Sequence, residues 1–415
     1  MNFLWGVLGV LFILGMAFLL SNNKKGINYR TIIGGLAIQV FFAFIVLKWE
    51  LGQSALKWLS LKIQAIFDYS NEGITFLFGG LIGNENIGFI FAFQVLTVIV
   101  FFSSLISVLY YLGIMQMIIK IIGGGLSKLL GTSKAESMSA AANIFVGQTE
   151  APLVVRPFIA KMTQSELFAV MTGGLASVSG SVLLGYSLLG VPLEYLLAAS
   201  FMAAPAGLIM AKMIVPEDET AAAVEAFEGS ETLEPSQEAK IEKDEGPVNV
   251  IDAAARGASD GLGLALNVGA MLLAFIALIA LVNGLLGGVG NWFGFEISLE
   301  MILGWLFAPI AFIVGVPWAE AIQAGSYIGQ KIVLNEFVAY AAFAPEMGSL
   351  TPKTNIVVSF ALCGFANLGS IAILLGGLGS LAPSRRSDIA RLGVRAVIAG
   401  AFASLLSGAI AGMLF

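Results

Sequence analysis

Histidine is absent from the chain, and cysteine occurs once, as Cys363. Ser-His-Asp and Cys-His catalysis in their usual forms are thereby excluded, and so is a histidine proton relay. A single cysteine forms no internal disulfide, and thiolate or imidazole metal clusters have no ligands. Charge is scarce too. Charged residues make up 12% of the chain and apolar residues 58%, against roughly 25% and 45–50% in soluble domains. Much of the net charge of −6 comes from one acidic segment, and no basic patch suits nucleic acid.

What fills the chain instead is a series of apolar runs reaching the ~20 residues that cross the hydrocarbon of a bilayer. The expectation is an all-α polytopic membrane protein. The first run, residues 3–20, lacks the positive leader and small-residue cleavage site of a signal peptide and reads as a retained span. A second covers 31–47, and Lys24, Lys25 and Arg30 between them place that loop in the cytoplasm. Residues 54–68 carry Leu56, Leu59, Ile63 and Phe67 at helical spacing between polar residues, which suits an amphipathic helix at the interface. With these, residues 1–86 form an N-terminal scaffold.

Residues 87–215 form a first repeat. It opens with a span over 87–112 and a second interfacial helix over 115–130, interrupted at Gly123-Gly124-Gly125. Next come Asn143, Gln148, Thr149 and Glu150, close together in a strongly apolar region, with Gly147 and Pro152 among them. A carboxylate at membrane depth by default marks a substrate or ion path. Glycine and proline weaken a helix there, and broken backbone survives in a membrane only where it lines a cavity or is packed on protein. A polar helix–helix contact would need fewer such groups. With Lys134 and Lys161 on one side, residues 134–162 read as a re-entrant hairpin. The span 166–189 holds Gly173-Gly174, Ser177, Ser179, Gly180 and Ser181. Such small residues serve close helix packing or an unwound segment facing the hairpin. A span over 193–215 completes the repeat.

Residues 216–249 are a charged cytoplasmic linker. Residues 250–415 then repeat the pattern: a short helix 250–260, a span 262–286, a helix 299–314, a hairpin 317–342, a broken span 355–378 and a last span 394–414. An odd number of spans separates the units, so the second is inverted. Arg385, Arg386, Arg391 and Arg395 agree, falling in a loop this topology puts in the cytoplasm. Inverted repeats with broken helices mark a secondary transporter. A channel would need a continuous polar path, and an intramembrane enzyme a nucleophile–base pair or a metal.

The stretches NIFVGQTEAP, residues 143–152, and GQKIVLNEFVAY, residues 329–340, resemble the concentrative nucleoside transporter family. The second follows the family signature G-x-K-x-x-x-N-E-F-V-A-Y at Gly329, Lys331, Asn335, Glu336, Phe337, Val338, Ala339 and Tyr340, and FANLGSI at 365–371 resembles the family's later broken span. The resemblance implies eight transmembrane helices, two re-entrant hairpins and interfacial helices, assembled as a homotrimer in the bacterial inner membrane. It implies a nucleoside symporter working by alternating access, with sodium as the coupling ion, no other cofactor, and proton coupling as the alternative. Gln148, Thr149 and Glu150 would contact the base, with Val182 packing on it. Glu336, Asn367 and Ser370 would bind the ribose beside Phe365. Sodium would sit between Asn143 and the Val146 carbonyl on one side and Ser177 and the Val178 carbonyl on the other. Lys331 would neutralise a carboxylate or extend to a helix end.

Overall fold

The computed structural model describes residues 2–81, 90–217 and 246–415, and every regular element among them is helical. The acidic linker therefore lies mostly outside the described residues. Three helices come first: α1 (Asn2–Leu19), α2 (Tyr29–Leu47) and α3 (Glu50–Phe78). The chain continues through α4 (Phe91–Gln94), α5 (Leu96–Tyr111) and α6 (Ile114–Leu130). Then come α7 (Lys134–Ala142), a turn, a 3-10 segment (Ala151–Val155) and α8 (Arg156–Ile159). An interrupted helix follows as α9 (Gln164–Ala176) and α10 (Gly180–Leu188), and α11 (Leu193–Ile214) closes the first half.

After the linker stands α12 (Val250–Phe293), then α13 (Leu299–Ile313). The pair α14 (Trp318–Val333) and α15 (Glu336–Phe343) precedes a second interrupted helix, α16 (Pro352–Leu362) and α17 (Ser370–Leu381), and α18 (Arg386–Leu414) ends the chain. The order of a helix, a helix–break–helix pair, an interrupted helix and a long helix thus occurs twice.

Burial separates a centre from a periphery. The α9–α10 helix is 94% buried over its most apolar window, and α12 only 17%. A helix apolar on all sides can be stable in either place, against protein or against lipid. By length and apolarity, six described helices could cross a membrane, or seven if the pair α13–α14, bent by 116°, counts as one. The eight spans of the resemblance would also require the shorter apolar helices α1 and α16–α17.

Three local expectations change. The triple glycine does not break α6, which is continuous. Gly123 is there for proximity, since a Cβ on it would lie 2.9 Å from the Met138 Cα of α7. The expected short helix and separate span after the linker are one helix of 44 residues, α12. Gly257 and Gly261 do not interrupt it because they let α5 approach: a Cβ on either would come within 2.6 Å of a serine Cβ, Ser107 and Ser103 respectively. At 1.5 Å per residue α12 is about 66 Å long, more than a bilayer's hydrocarbon, so it must tilt or project. The interfacial helix is also longer than its amphipathic stretch, running over 29 residues as α3.

Capping explains several boundaries. Ser133 and Glu136 form a capping box at the start of α7, and Thr163 and Glu166 do the same for α9. Glu136 has a second partner. Its carboxylate lies 2.7 Å from Lys212 Nζ at the end of α11, and both side chains are buried. Glu217, the first acid of the linker, joins them at 3.3 Å from Lys212, so the linker's start is tied to the first half by an ion pair.

Candidate substrate site

Both interrupted helices break at the centre of the molecule, and their breaks touch. The Phe365 amide donates to the Ser177 carbonyl at 3.1 Å. The turn of the first hairpin joins them, since the Gly180 amide donates to the Phe145 carbonyl at 2.9 Å. The second hairpin joins through the Leu368 amide and the Ile332 carbonyl, at 3.2 Å. Unwound backbone is thus satisfied by other unwound backbone, as membrane interiors require.

A cavity of about 200 Å³ lies where these four breaks meet. Its wall includes all eight residues expected to bind substrate: Gln148, Thr149, Glu150, Val182, Glu336, Phe365, Asn367 and Ser370. Glu336 occupies the first turn of α15, where the positive end of the helix dipole favours a carboxylate. It is buried, accepting from the Tyr186 hydroxyl at 3.0 Å and from Asn367 Nδ2 at 3.3 Å. Asn367 Oδ1 in turn accepts from the Ser370 amide at 2.9 Å. Ser370 Oγ donates to the Phe365 carbonyl at 2.6 Å and lies 3.5 Å from Gln148 Nε2. The two halves of the chain therefore share one polar network.

Glu150 is placed differently. One of its oxygens accepts the Gly147 amide at 2.5 Å, tightening its own turn. It also lines a second, larger chamber of about 500 Å³ that reaches Tyr110 of α5, Gln116 of α6 and Asp260 of α12. Ser179 and Glu150 border both chambers.

The four residues expected to hold a cation, Asn143, Val146, Ser177 and Val178, are all buried. Both amide atoms of Asn143 are buried without a hydrogen-bond partner, as are Thr172 Oγ1 and Gln148 Oε1. Each orphaned buried polar atom costs ~1–3 kcal/mol. A neutral set of amide, hydroxyl and carbonyl oxygens at broken helices fits a hard monovalent cation. Ser177 Oγ donates its proton to the Gly173 carbonyl at 3.0 Å, which leaves its lone pairs as acceptors. Close approach is built in: a Cβ on Gly174 would stand 2.8 Å from Gln148 Cβ, and one on Gly173 3.2 Å from Asn143 Nδ2.

Lys331 forms no direct ion pair with a carboxylate, although its charge acts on Glu336 through space. It is buried, and its ammonium donates to the Ala361 carbonyl at 2.8 Å and to Ser404 Oγ at 2.5 Å. It reaches no helix end at the surface, and Glu336 is held by other groups.

Some wall residues were missed in the sequence. Leu264, Val268, Met271, Leu272 and Phe275 of α12 form an apolar side of the smaller cavity. Their spacing of three, four and seven was visible, but nothing marked that face from the lipid-facing ones. Tyr186, which orients Glu336 and stacks on Tyr340 at 4.4 Å between ring centroids, was likewise read only as part of an apolar span. Asn335, within the signature, caps α15 through a 2.9 Å bond from the Val338 amide.

The profile described as the Na+ dependent nucleoside transporter C-terminus matches residues 195–412, the corresponding N-terminus profile matches 8–81, and a profile described as nucleoside recognition matches 92–192. The chain is 60% identical over 416 residues to an uncharacterised transporter of Bacillus subtilis, YutK, covering 100% of both. It is 50% identical to the nucleoside permease NupC of Helicobacter pylori, covering 99% of this chain and 97% of that one. It is 37% identical to sodium/nucleoside cotransporter 2 of Rattus norvegicus, covering 98% of this chain and 62% of that one. Among solved structures, CNTnw in an inward-facing substrate-bound state superposes with a TM-score of 0.92 at 55% identity, covering 100% of this chain and 98% of that one. A variant of CNTnw in an outward-facing state superposes with a TM-score of 0.93, also at 55% identity, covering 100% of this chain and 98% of that one.

Proposed function

Because the chain belongs to the sodium-dependent nucleoside transporter family, a family of membrane permeases and not of enzymes, we propose that it imports nucleosides by sodium-coupled symport. The observation that carries this reading is the single cavity to which both interrupted helices and both hairpins contribute. Such a cavity can be opened to either side by moving the elements around it, which is what alternating access needs.

Gln148, Thr149 and Glu150 present amide, hydroxyl and carboxylate groups to the base, whose edge carries donors and acceptors. Val182 packs against the ring. Glu336, Asn367 and Ser370 hold the ribose beside Phe365. Two neutral donors already fix the Glu336 carboxylate, which keeps lone pairs for the sugar hydroxyls. The coupling ion binds Asn143, the Val146 carbonyl, Ser177 and the Val178 carbonyl. There it satisfies the orphaned Asn143 amide oxygen and stiffens the turn that carries Gln148.

Proton coupling would place the titrating group at Glu150 or Glu336. The bonds these carboxylates make are all accepted ones from Gly147, Tyr186 and Asn367, and none needs a carboxyl proton. That supports sodium. The larger chamber, with Gln116 and Asp260 at its far side, serves as the cytoplasmic exit.

The protein works as a homotrimer in a bacterial cytoplasmic membrane, with two re-entrant hairpins in inverted halves. The exposed apolar side chains of α12, among them Leu273, Leu281 and Trp292, call for lipid or a partner subunit as cover. Uptake of radiolabelled uridine and adenosine into proteoliposomes tests the function. A sodium gradient should drive accumulation, and accumulation driven by a proton gradient alone would overturn sodium coupling.

A further inference from the structure

Tyr186 is not among the residues that line the substrate cavity, yet its hydroxyl reaches a carboxylate that is. It is fully buried in α10, with 0% of its surface exposed. Its ring stacks on Tyr340 at 4.4 Å and meets Phe337 edge-on at 4.7 Å between centroids. Both partners belong to α15, the helix that carries Glu336 at its first position. Glu336 and Tyr340 stand one turn apart, so one ring packed on that face of α15 reaches both. A ring held in this way has one place for its hydroxyl, which donates to Glu336 Oε1 at 3.0 Å.

That bond decides how Glu336 presents itself. The last torsion of a glutamate is soft, so its hydrogen bonds choose the angle. Tyr186 donates to one oxygen and Asn367 Nδ2 to the other, at 3.0 and 3.3 Å. With one donor on each oxygen the carboxylate cannot turn, and both oxygens keep lone pairs for a further donor. Asn367 is itself a cavity residue expected on the ribose, so its side chain has two tasks. Tyr186 has one. It also stands four residues after Val182, on the same side of α10, and Val182 lines the cavity. One turn of one helix therefore carries the residue expected on the base and the residue that orients the acid expected on the ribose.

We propose that Tyr186 is a positioning residue for sugar recognition: it touches no part of the nucleoside and sets, through Glu336, how strongly a ribose is preferred to a sugar without hydroxyls. The inference rests on the pose given above, in which Glu336 holds the ribose. Tyr340 supplies the control. It is equally buried and belongs to the same stack, but its hydroxyl goes at 2.7 Å to the Ser359 carbonyl of α16 and not to a cavity residue.

The test is binding of uridine and 2′,3′-dideoxyuridine to the purified full-length protein in detergent with saturating sodium. The readout is the dissociation constant of the dideoxy analogue divided by that of uridine. Tyr186→Phe removes only the hydroxyl. It should weaken uridine about tenfold and the analogue by less than about twofold, so the ratio falls. Tyr340→Phe should lower the unfolding temperature and keep the wild-type ratio. In a Glu336→Gln background Tyr186→Phe should add little, because its route to the sugar is already gone. Equal weakening of both ligands by Tyr186→Phe would overturn the proposal. So would a ratio lowered as far by Tyr340→Phe, or the full loss repeated in the Glu336→Gln background. That background also decides the matter if Tyr186→Phe alone does not fold, since the double variant strands no carboxylate. A wild type that binds both ligands alike would instead remove Glu336 from the ribose, and the pose would fail before Tyr186 did.

Discussion

The Phe365 amide and the Ser177 carbonyl, 3.1 Å apart, tie the unwound segment of one interrupted helix to that of the other. The joint is tight because Gly364 comes before Phe365. A Cβ on Gly364 would lie 2.9 Å from the Ala176 carbonyl oxygen and 3.1 Å from that of Leu175. Neither oxygen is at the end of a flexible side chain, so the backbone itself would have to move.

Gly364→Ala should therefore destabilise the protein by ~1–3 kcal/mol, the usual cost of overpacking. Gly376→Ala is the control, since a Cβ there meets nothing within 4 Å and alanine favours the helix. Thermal unfolding in detergent should place Gly364→Ala clearly below wild type and Gly376→Ala at or slightly above it. Equal melting temperatures for the two variants would show that the joint is loose.

A second prediction concerns the buried pair Lys212–Glu136, 2.7 Å apart. Breaking such a pair from one side leaves a buried charge uncompensated, which costs ~3–5 kcal/mol, whereas removing both partners costs much less. Lys212→Met, which strands the buried Glu136 carboxylate, should lower the unfolding temperature strongly, and Lys212→Met with Glu136→Gln should recover most of the loss, whereas Glu136→Gln alone leaves Glu217 beside Lys212. Additive losses in the double variant would mean that the pair does not act as a unit.

A third prediction concerns the orphaned amide of Asn143. If Asn143 and Ser177 ligate sodium, alanine at both should abolish the effect of a sodium gradient on uptake and of sodium on uridine binding. Uridine binding without sodium should change little, because neither residue lines the substrate cavity. Sodium dependence that survives the double substitution would remove the site.

These residues also show what the chain disclosed and what it withheld. The breaks were legible because Gly, Pro, Ser and Asn stand out against apolar runs, and seven of the eight expected cavity residues were legible because they stand in three motif stretches, 143–152, 329–340 and 365–371, with Val182 outside them. The continuity of α6 and α12 was not. The triple glycine of α6 looked like an interruption and α12 was divided in two, and only Met138 against Gly123 and the α5 serines against Gly257 and Gly261 show that these three glycines serve close contact. The hydrogen bonds of Lys331 were hidden for a related reason. Its partners, Ala361 and Ser404, lie 30 and 73 residues away and are unremarkable alone. The apolar wall from α12 was hidden because one stripe of a membrane helix resembles the next.

The last prediction separates the two carboxylates of the cavity. Glu336 is buried, fixed by Tyr186 and Asn367, and linked through Asn367 to Ser370. Glu150 is tied to its own turn at Gly147 and borders both chambers. In the proposed pose Glu336 takes the sugar hydroxyls and Glu150 the base. Losing a charged hydrogen bond in a desolvated site costs ~1.5–3 kcal/mol, roughly ten- to a hundredfold in affinity. Glu336→Gln should weaken uridine binding by that factor, yet hardly change the already weak binding of 2′,3′-dideoxyuridine, which has no sugar hydroxyls at those positions to lose. Glu150→Gln should weaken both ligands, because the base is common to them. Its effect on uridine should fall toward the lower end of the range, since Glu150 as a residue is exposed and Glu336 is buried. Binding measured in detergent for wild type and both variants against the two ligands gives the comparison. A Glu336→Gln loss as large for the dideoxy analogue as for uridine would mean that this carboxylate does not hold the ribose.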